Sequence, residues 1–159
     1  MRESRNILIL GIGNSLLRDE GAGIHALHCL REQFPERDDL TFLDGGTLSF
    51  TLAGAIAEAS HLIVLDAAQL QAAPGHSQVF EGTEMDIFLG SNRKRSVHEV
   101  SLLDLLAIAQ LGDHLPQHRA LVGIQPAEID WGEHPSDAVQ AAMPRICGQV
   151  GQLIEAWQA

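Results

Sequence analysis

Three acids and one imidazole are the side chains best placed for chemistry: Glu20, Asp44, Asp66 and His98. Each follows a predicted strand or stands near a predicted helix start. Glu20, Asp66 and His98 could converge over one edge of a sheet. Two carboxylates and an imidazole make an N/O donor set for a divalent first-row metal such as Zn, Ni or Mn. Taken singly, each has a plainer reading. His98 alone is a surface or satisfied core histidine. Asp19 is read as a helix N-cap, and Glu20 as a first-turn acid that complements the helix dipole. Asp44, in Asp44-Gly45-Gly46-Thr47, is either an ordinary turn residue or a carboxylate held beside exposed backbone N–H groups. Asp66 ends the most apolar strand of the chain, a placement common in α/β enzymes.

Other chemistries fit less well. The run Gly11-Ile12-Gly13-Asn14-Ser15-Leu16 resembles a dinucleotide loop only in its first two glycines. Leu16 stands where the third glycine belongs, and Asp19 and Glu20 would face a pyrophosphate with like charge. There is no H-E-x-x-H and no G-x-S-x-G. Cys29 and Cys147 lie far apart, read as buried small hydrophobes in a reducing compartment, and have no context that suggests a nucleophile. His25 and His28 share a helix face without a third ligand in reach. His61, His76, His114, His118 and His134 are read as incidental.

These residues need a scaffold. Four continuous apolar runs, at 6–10, 40–43, 61–65 and 119–124, read as strands buried on both faces of a parallel sheet. Ser77 to Phe80, after the turn Pro74-Gly75, reads as a weaker edge strand. Helical spacing marks Glu20 to Phe34, Ser49 to Ala59, Glu99 to Leu111 and Asp137 to Trp157. Pro144 predicts a kink or break in the last. The stretch from Glu84 to Arg95, with its basic Arg93-Lys94-Arg95, reads as a solvated loop; its alternative is a loop over the site. Alternating strands and helices give a single-domain α/β chain over 1–159, a sandwich with helices on both sides of the sheet. Ligands in such folds sit beyond the carboxyl ends of the strands.

Composition sets the outer limits. The 159 residues are 45% hydrophobic, enough for one domain with a buried core and too apolar for disorder. A net charge of −11 argues against nucleic acid and acidic lipid as partners. No apolar run approaches the roughly 20 residues of a membrane span. The N-terminal Arg2 to Ile12 imitates a signal peptide but lacks a cleavage site, so the expected location is cytoplasmic.

The run Gly11 to Gly23, with Asp44-Gly45-Gly46-Thr47, Leu65-Asp66-Ala67, Pro74-Gly75, His98 and Leu121-Val122-Gly123-Ile124-Gln125-Pro126, resembles the hydrogenase maturation endopeptidases. The resemblance spans nearly the whole chain. It implies a three-layer αβα sandwich around a twisted, mostly parallel sheet of about five strands. It also implies a cytoplasmic protease that removes the C-terminal extension of a nickel–iron hydrogenase large-subunit precursor after the metal centre is assembled. By the same resemblance the metal contacts fall on Glu20, Asp66 and His98, with nickel supplied by the precursor. Asp44 or Asp66 would serve as base for water attack, which makes this an aspartyl protease. Glu99, beside His98, is read as the first acid of a helix or a partner of the imidazole. Two rival readings remain: a chaperone that binds the metallated precursor without cutting, and a nucleotide-binding module built on the Gly11–Gly23 loop.

Overall fold

A computed structural model describes residues 5–92, 101–127 and 129–158. Five strands, β1 (Ile7–Ile12), β2 (Leu40–Gly46), β3 (His61–Ala67), β4 (Ser77–Glu81) and β5 (His118–Ile124), form one sheet in the order β2-β1-β3-β5-β4. All neighbours pair in parallel except β4, which runs antiparallel to β5 along the edge. The helices are α1 (Ala22–Gln33), α2 (Leu52–Glu58), α3 (Thr83–Asn92), α4 (Leu102–Leu111) and α5 (Asp137–Ala156).

The continuous apolar strands are explained by cover on both faces. In β1, Ile7 and Ile9 pack with α1 and α5, whereas Leu8, Leu10 and Ile12 pack with α2 and α4. Ile63 and Leu65 of β3 join the first core, Leu62 and Val64 the second. The three-layer sandwich expected from the sequence is the fold of this chain. The inward stripes Leu102, Leu105, Leu106, Ala109 and Val139, Met143, Ile146, Val150 are buried as their spacing requires.

Three local expectations are corrected. Residues 83–92 form helix α3 rather than a loop: Met85 is fully buried, and Phe88 stacks on Phe80 with ring centres 4.2 Å apart. The basic Arg93-Lys94-Arg95 lies outside the described residues. Pro144 does not break α5, which runs unbroken for 20 residues. Pro144 and Gln140 are both exposed, so water can satisfy the Gln140 carbonyl that a proline nitrogen cannot reach. Helix α4 starts at Leu102, not Glu99, because Ser101 caps it reciprocally with Asp104.

Register decides what reaches the carboxyl edge. Gly11 lies opposite both Asp44 of β2 and Leu65 of β3, so the residues following these three strands emerge together. Helix α1 leaves β1 toward one face and α2 leaves β2 toward the other. The gap between β1 and β3 is therefore a topological switch point, where α/β sheets bind ligands. No helix of the described residues is long and apolar enough to cross a membrane.

Candidate active site

A cleft of about 310 Å³ opens at that switch point. Ile12 and Gly13 from the end of β1, Glu20, and Asp66 with the residues after it line it, and Glu20 and Asp66 are its acidic groups. Leu89, Leu102 and Leu121 contribute to the apolar side. Two of the three sequence-derived metal candidates, Glu20 and Asp66, thus share one cleft, although they come from different elements.

Glu20 sits in a 3-10 turn, Arg18–Gly21, that leads into α1. Two glycines let this turn approach the sheet. A Cβ on Gly23 would stand 2.1 Å from the Leu65 carbonyl oxygen. Gly13 has φ +129°, and a Cβ there would stand 2.0 Å from the Glu20 carbonyl oxygen. The glycine run is therefore occupied by the protein's own backbone, which explains its spacing without a dinucleotide.

Asp19 is no N-cap, contrary to the sequence reading. Its side chain is fully buried (0% exposed) and points across the fold. Oδ2 accepts hydrogen bonds from the Ala127 N–H and the Ser136 hydroxyl, and Oδ1 accepts from the Ser136 N–H, all at 2.7 Å. The 3-10 turn is thereby fastened to the segment between β5 and α5. The adjacent residue, Glu20, is left facing the cleft. The same two segments also pair through their backbones, with Arg18 N–H donating to Gly132 and Gly132 N–H to Leu16.

Asp66 is half-buried, and loss of solvent around its carboxyl pushes the pKa well above the usual carboxylate range. A hydrogen bond from the Ala67 N–H opposes this shift, and the Glu20 carboxylate adds to it. Gln125, which sequence reading passed over as part of a motif, holds the loop beyond Asp66. Its Oε1 accepts from the Leu70 N–H at 2.7 Å and its Nε2 donates to Gln69 Oε1 at 3.1 Å. The available signal was the one that selected Asp66: a polar residue directly after an apolar strand.

Asp44 is exposed at the end of β2. Its Oδ1 accepts from the Gly46 N–H at 2.9 Å, so the turn reading and the carboxylate-beside-N–H reading describe one arrangement. Gly46 lines the cleft, and Asp44 itself does not. His98 and Glu99 lie outside the described residues; Ser101, three positions after His98, lines the cleft. Among the described residues no three His, Cys, Asp or Glu side chains gather in a metal-binding arrangement. Both cysteines are free, and burial pushes the Cys147 thiol up to about 11, which leaves no thiolate for nucleophilic attack.

The sequence matches the hydrogenase maturation protease family over residues 24–152. It is 34% identical over 152 residues to the hydrogenase expression/formation protein HupD of Rhizobium leguminosarum bv. viciae, covering 95% of this chain and 75% of that one. It is 33% identical over 125 residues to the hydrogenase 2 maturation protease of Escherichia coli (strain K12), covering 78% of this chain and 75% of that one. The solved hydrogenase maturating endopeptidase HybD of E. coli superposes with a TM-score of 0.87 at 31% identity, over 95% of this chain and 93% of that one. The chain belongs to the hydrogenase maturation protease family and is an endopeptidase.

Proposed function

We propose that this endopeptidase removes the C-terminal extension of a nickel–iron hydrogenase large-subunit precursor once nickel has been inserted, and that it reads the nickel with Glu20, Asp66 and His98. The observation that carries this reading is the meeting of Glu20 and Asp66 in one cleft at the sheet's switch point. Two ionised acids facing one cavity repel each other, and a cation between them relieves that repulsion. The donor set is oxygen-rich and free of thiolate, so it holds a divalent ion weakly by itself, which suits a metal that arrives with the substrate. Nickel bound in the precursor is then part of the substrate, and its docking on these carboxylates sets the scissile bond against the cleft wall.

Asp66 is the better-placed base of the two candidate aspartates. It lines the cleft together with Glu20, and Asp44 does not. The Asp44 carboxylate, bound to the Gly46 N–H, shapes the turn that borders the cleft. The location we infer is cytoplasmic.

The test is to incubate the purified protein with nickel-loaded and nickel-free precursor and weigh the products by mass spectrometry. Loss of a C-terminal peptide from the loaded form only is the expected result. Cleavage of both forms alike would remove nickel recognition from the proposal, and cleavage of neither would remove the substrate.

A further inference from the structure

Three large apolar side chains stand exposed on two hydrogen-bonded segments: Leu16 at 51%, Ile129 at 55% and Trp131 at 78%. They are not scattered. Leu17 and Gly132 form an isolated parallel β-bridge, with the Gly132 N–H donating to the Leu16 carbonyl at 2.9 Å and the Arg18 N–H to the Gly132 carbonyl at 3.0 Å. These two hydrogen bonds bring the segment that carries Leu16 alongside the segment that carries Trp131. Ile129, two residues before Trp131, is itself part of the cleft wall. Through Ile129, one end of this apolar surface reaches the cavity that Glu20 and Asp66 line.

The platform is also held firmly. Asp19 ties the segment carrying Leu16 to Ala127 and Ser136, on either side of Ile129 and Trp131. A tryptophan left mostly in water on a fixed loop of an acidic protein has no role in the core of this chain. Contiguous exposed apolar surface of this kind marks an interaction site, and tryptophan is enriched among the residues that dominate binding energy.

We propose that Leu16, Ile129 and Trp131 form the docking surface for the large-subunit precursor, receiving an apolar segment next to its C-terminal extension. This rests on the function proposed above, because only a substrate whose scissile segment enters the cleft must cross this rim. Continuity with the cleft selects the precursor over a second copy of this chain as the occupant.

The experiment compares wild type with Leu16→Ser/Trp131→Ser and with Trp131→Phe. It measures binding to nickel-loaded precursor by calorimetry, cleavage kinetics on the same precursor, and oligomeric state by sedimentation. Both altered side chains are exposed, so thermal stability serves as a control for folding. The double variant is expected to bind the precursor at least about tenfold more weakly and to show a raised KM with kcat within about twofold. Trp131→Phe should recover most of the affinity. Unchanged binding in the double variant overturns the docking surface even if wild type cleaves, so the two proposals fail separately. If wild type binds without cutting, the binding constants still decide. If wild type does not bind the precursor, or is a dimer that the double variant dissociates, the precursor is not the occupant.

Discussion

The Asp19 carboxylate and Ser136, 117 residues apart, are joined by two hydrogen bonds of 2.7 Å, one from the backbone N–H and one from the hydroxyl. The same hydroxyl caps α5 by accepting from the Val139 N–H at 3.4 Å. One buried carboxylate thus positions Glu20 at one end of the chain and starts the last helix at the other.

Removing that carboxylate strands the buried Ser136 N–H and hydroxyl, and removing the hydroxyl leaves the Val139 N–H without its cap. Ser136→Ala loses a cap and one charge-assisted hydrogen bond, at a cost of about 1–2 kcal/mol. Asp19→Ala leaves the Ala127 and Ser136 N–H groups without an acceptor and is expected to cost about 3 kcal/mol or more. Because both changes break one network, the double variant should lose less than the sum. Urea unfolding of all four proteins checks this. Strict additivity would mean that the two residues act independently.

Glycines in this chain should respond to alanine in opposite directions. At Gly54, inside α2, an added Cβ meets nothing within 4 Å. Gly54→Ala should raise stability by about 0.5–1 kcal/mol. At Gly23 the same atom falls 2.1 Å from the Leu65 carbonyl, a backbone atom that cannot step aside. Gly23→Ala should destabilise by about 3 kcal/mol or more, or prevent folding. Comparison of urea midpoints separates the two, and a stable Gly23→Ala protein would show that α1 can move off the sheet.

Asp66 should trade stability against activity. Its native pKa is raised above the ordinary 3.8, mainly by burial. A carboxyl of this kind favours the fold while protonated, and that contribution is lost as pH rises through the raised native value. Asp66→Asn, neutral at every pH, should therefore melt higher than wild type, by a margin that is larger at about pH 8 than at about pH 4. It should also fail to process the precursor, as should Glu20→Gln. A melting difference that did not vary with pH would show that the Asp66 carboxyl is as well solvated in the fold as in the unfolded chain.

The scaffold was legible because its signals are local. Runs such as His61 to Leu65 and the stripe Leu102, Leu105, Leu106 announce themselves within a few residues, and so does an acid at the end of an apolar strand. Helix α3 escaped because its apolar residues Met85, Ile87, Phe88 and Leu89 run nearly consecutively instead of marking one face, and because it ends in Gly90, Ser91 and Asn92, all poor helix formers; burial of Met85 holds it in place. Asp19 was misread for a different reason. Its partners, Ala127 and Ser136, are more than 100 residues away, and no local pattern distinguishes an anchor from a cap. At Pro144 the rule for helix interiors overestimated the damage, because an exposed carbonyl can turn to water.

At the opposite edge of the sheet from the cleft, Asp39 offers a pH test that should leave activity untouched. Its carboxylate is hydrogen-bonded by Arg5, just before β1, and by Arg37, with Arg37 Nη2 at 2.8 Å from Oδ2. The hydrogen bond from Arg5 is the largest influence on its pKa; burial, the next largest, opposes it, and the hydrogen bond from Arg37 helps to hold the value below the ordinary 3.8. The sign follows from linkage: a depressed carboxylate stabilises the fold above 3.8, and that stabilisation disappears as pH falls through the lower native value. Asp39 keeps 22% of its side chain exposed, so solvent and salt screen the pairs and the gain is about 1 kcal/mol. Asp39→Asn should therefore unfold at lower urea than wild type near neutral pH, with the difference shrinking as pH falls below 3.8. His25, whose pKa burial lowers, titrates alike in both proteins and cancels in the comparison. Precursor processing by Asp39→Asn should match wild type. A pH-independent stability difference would mean that Asp39 acts through packing alone, without the ion pairs that join the start of β1 to the start of β2.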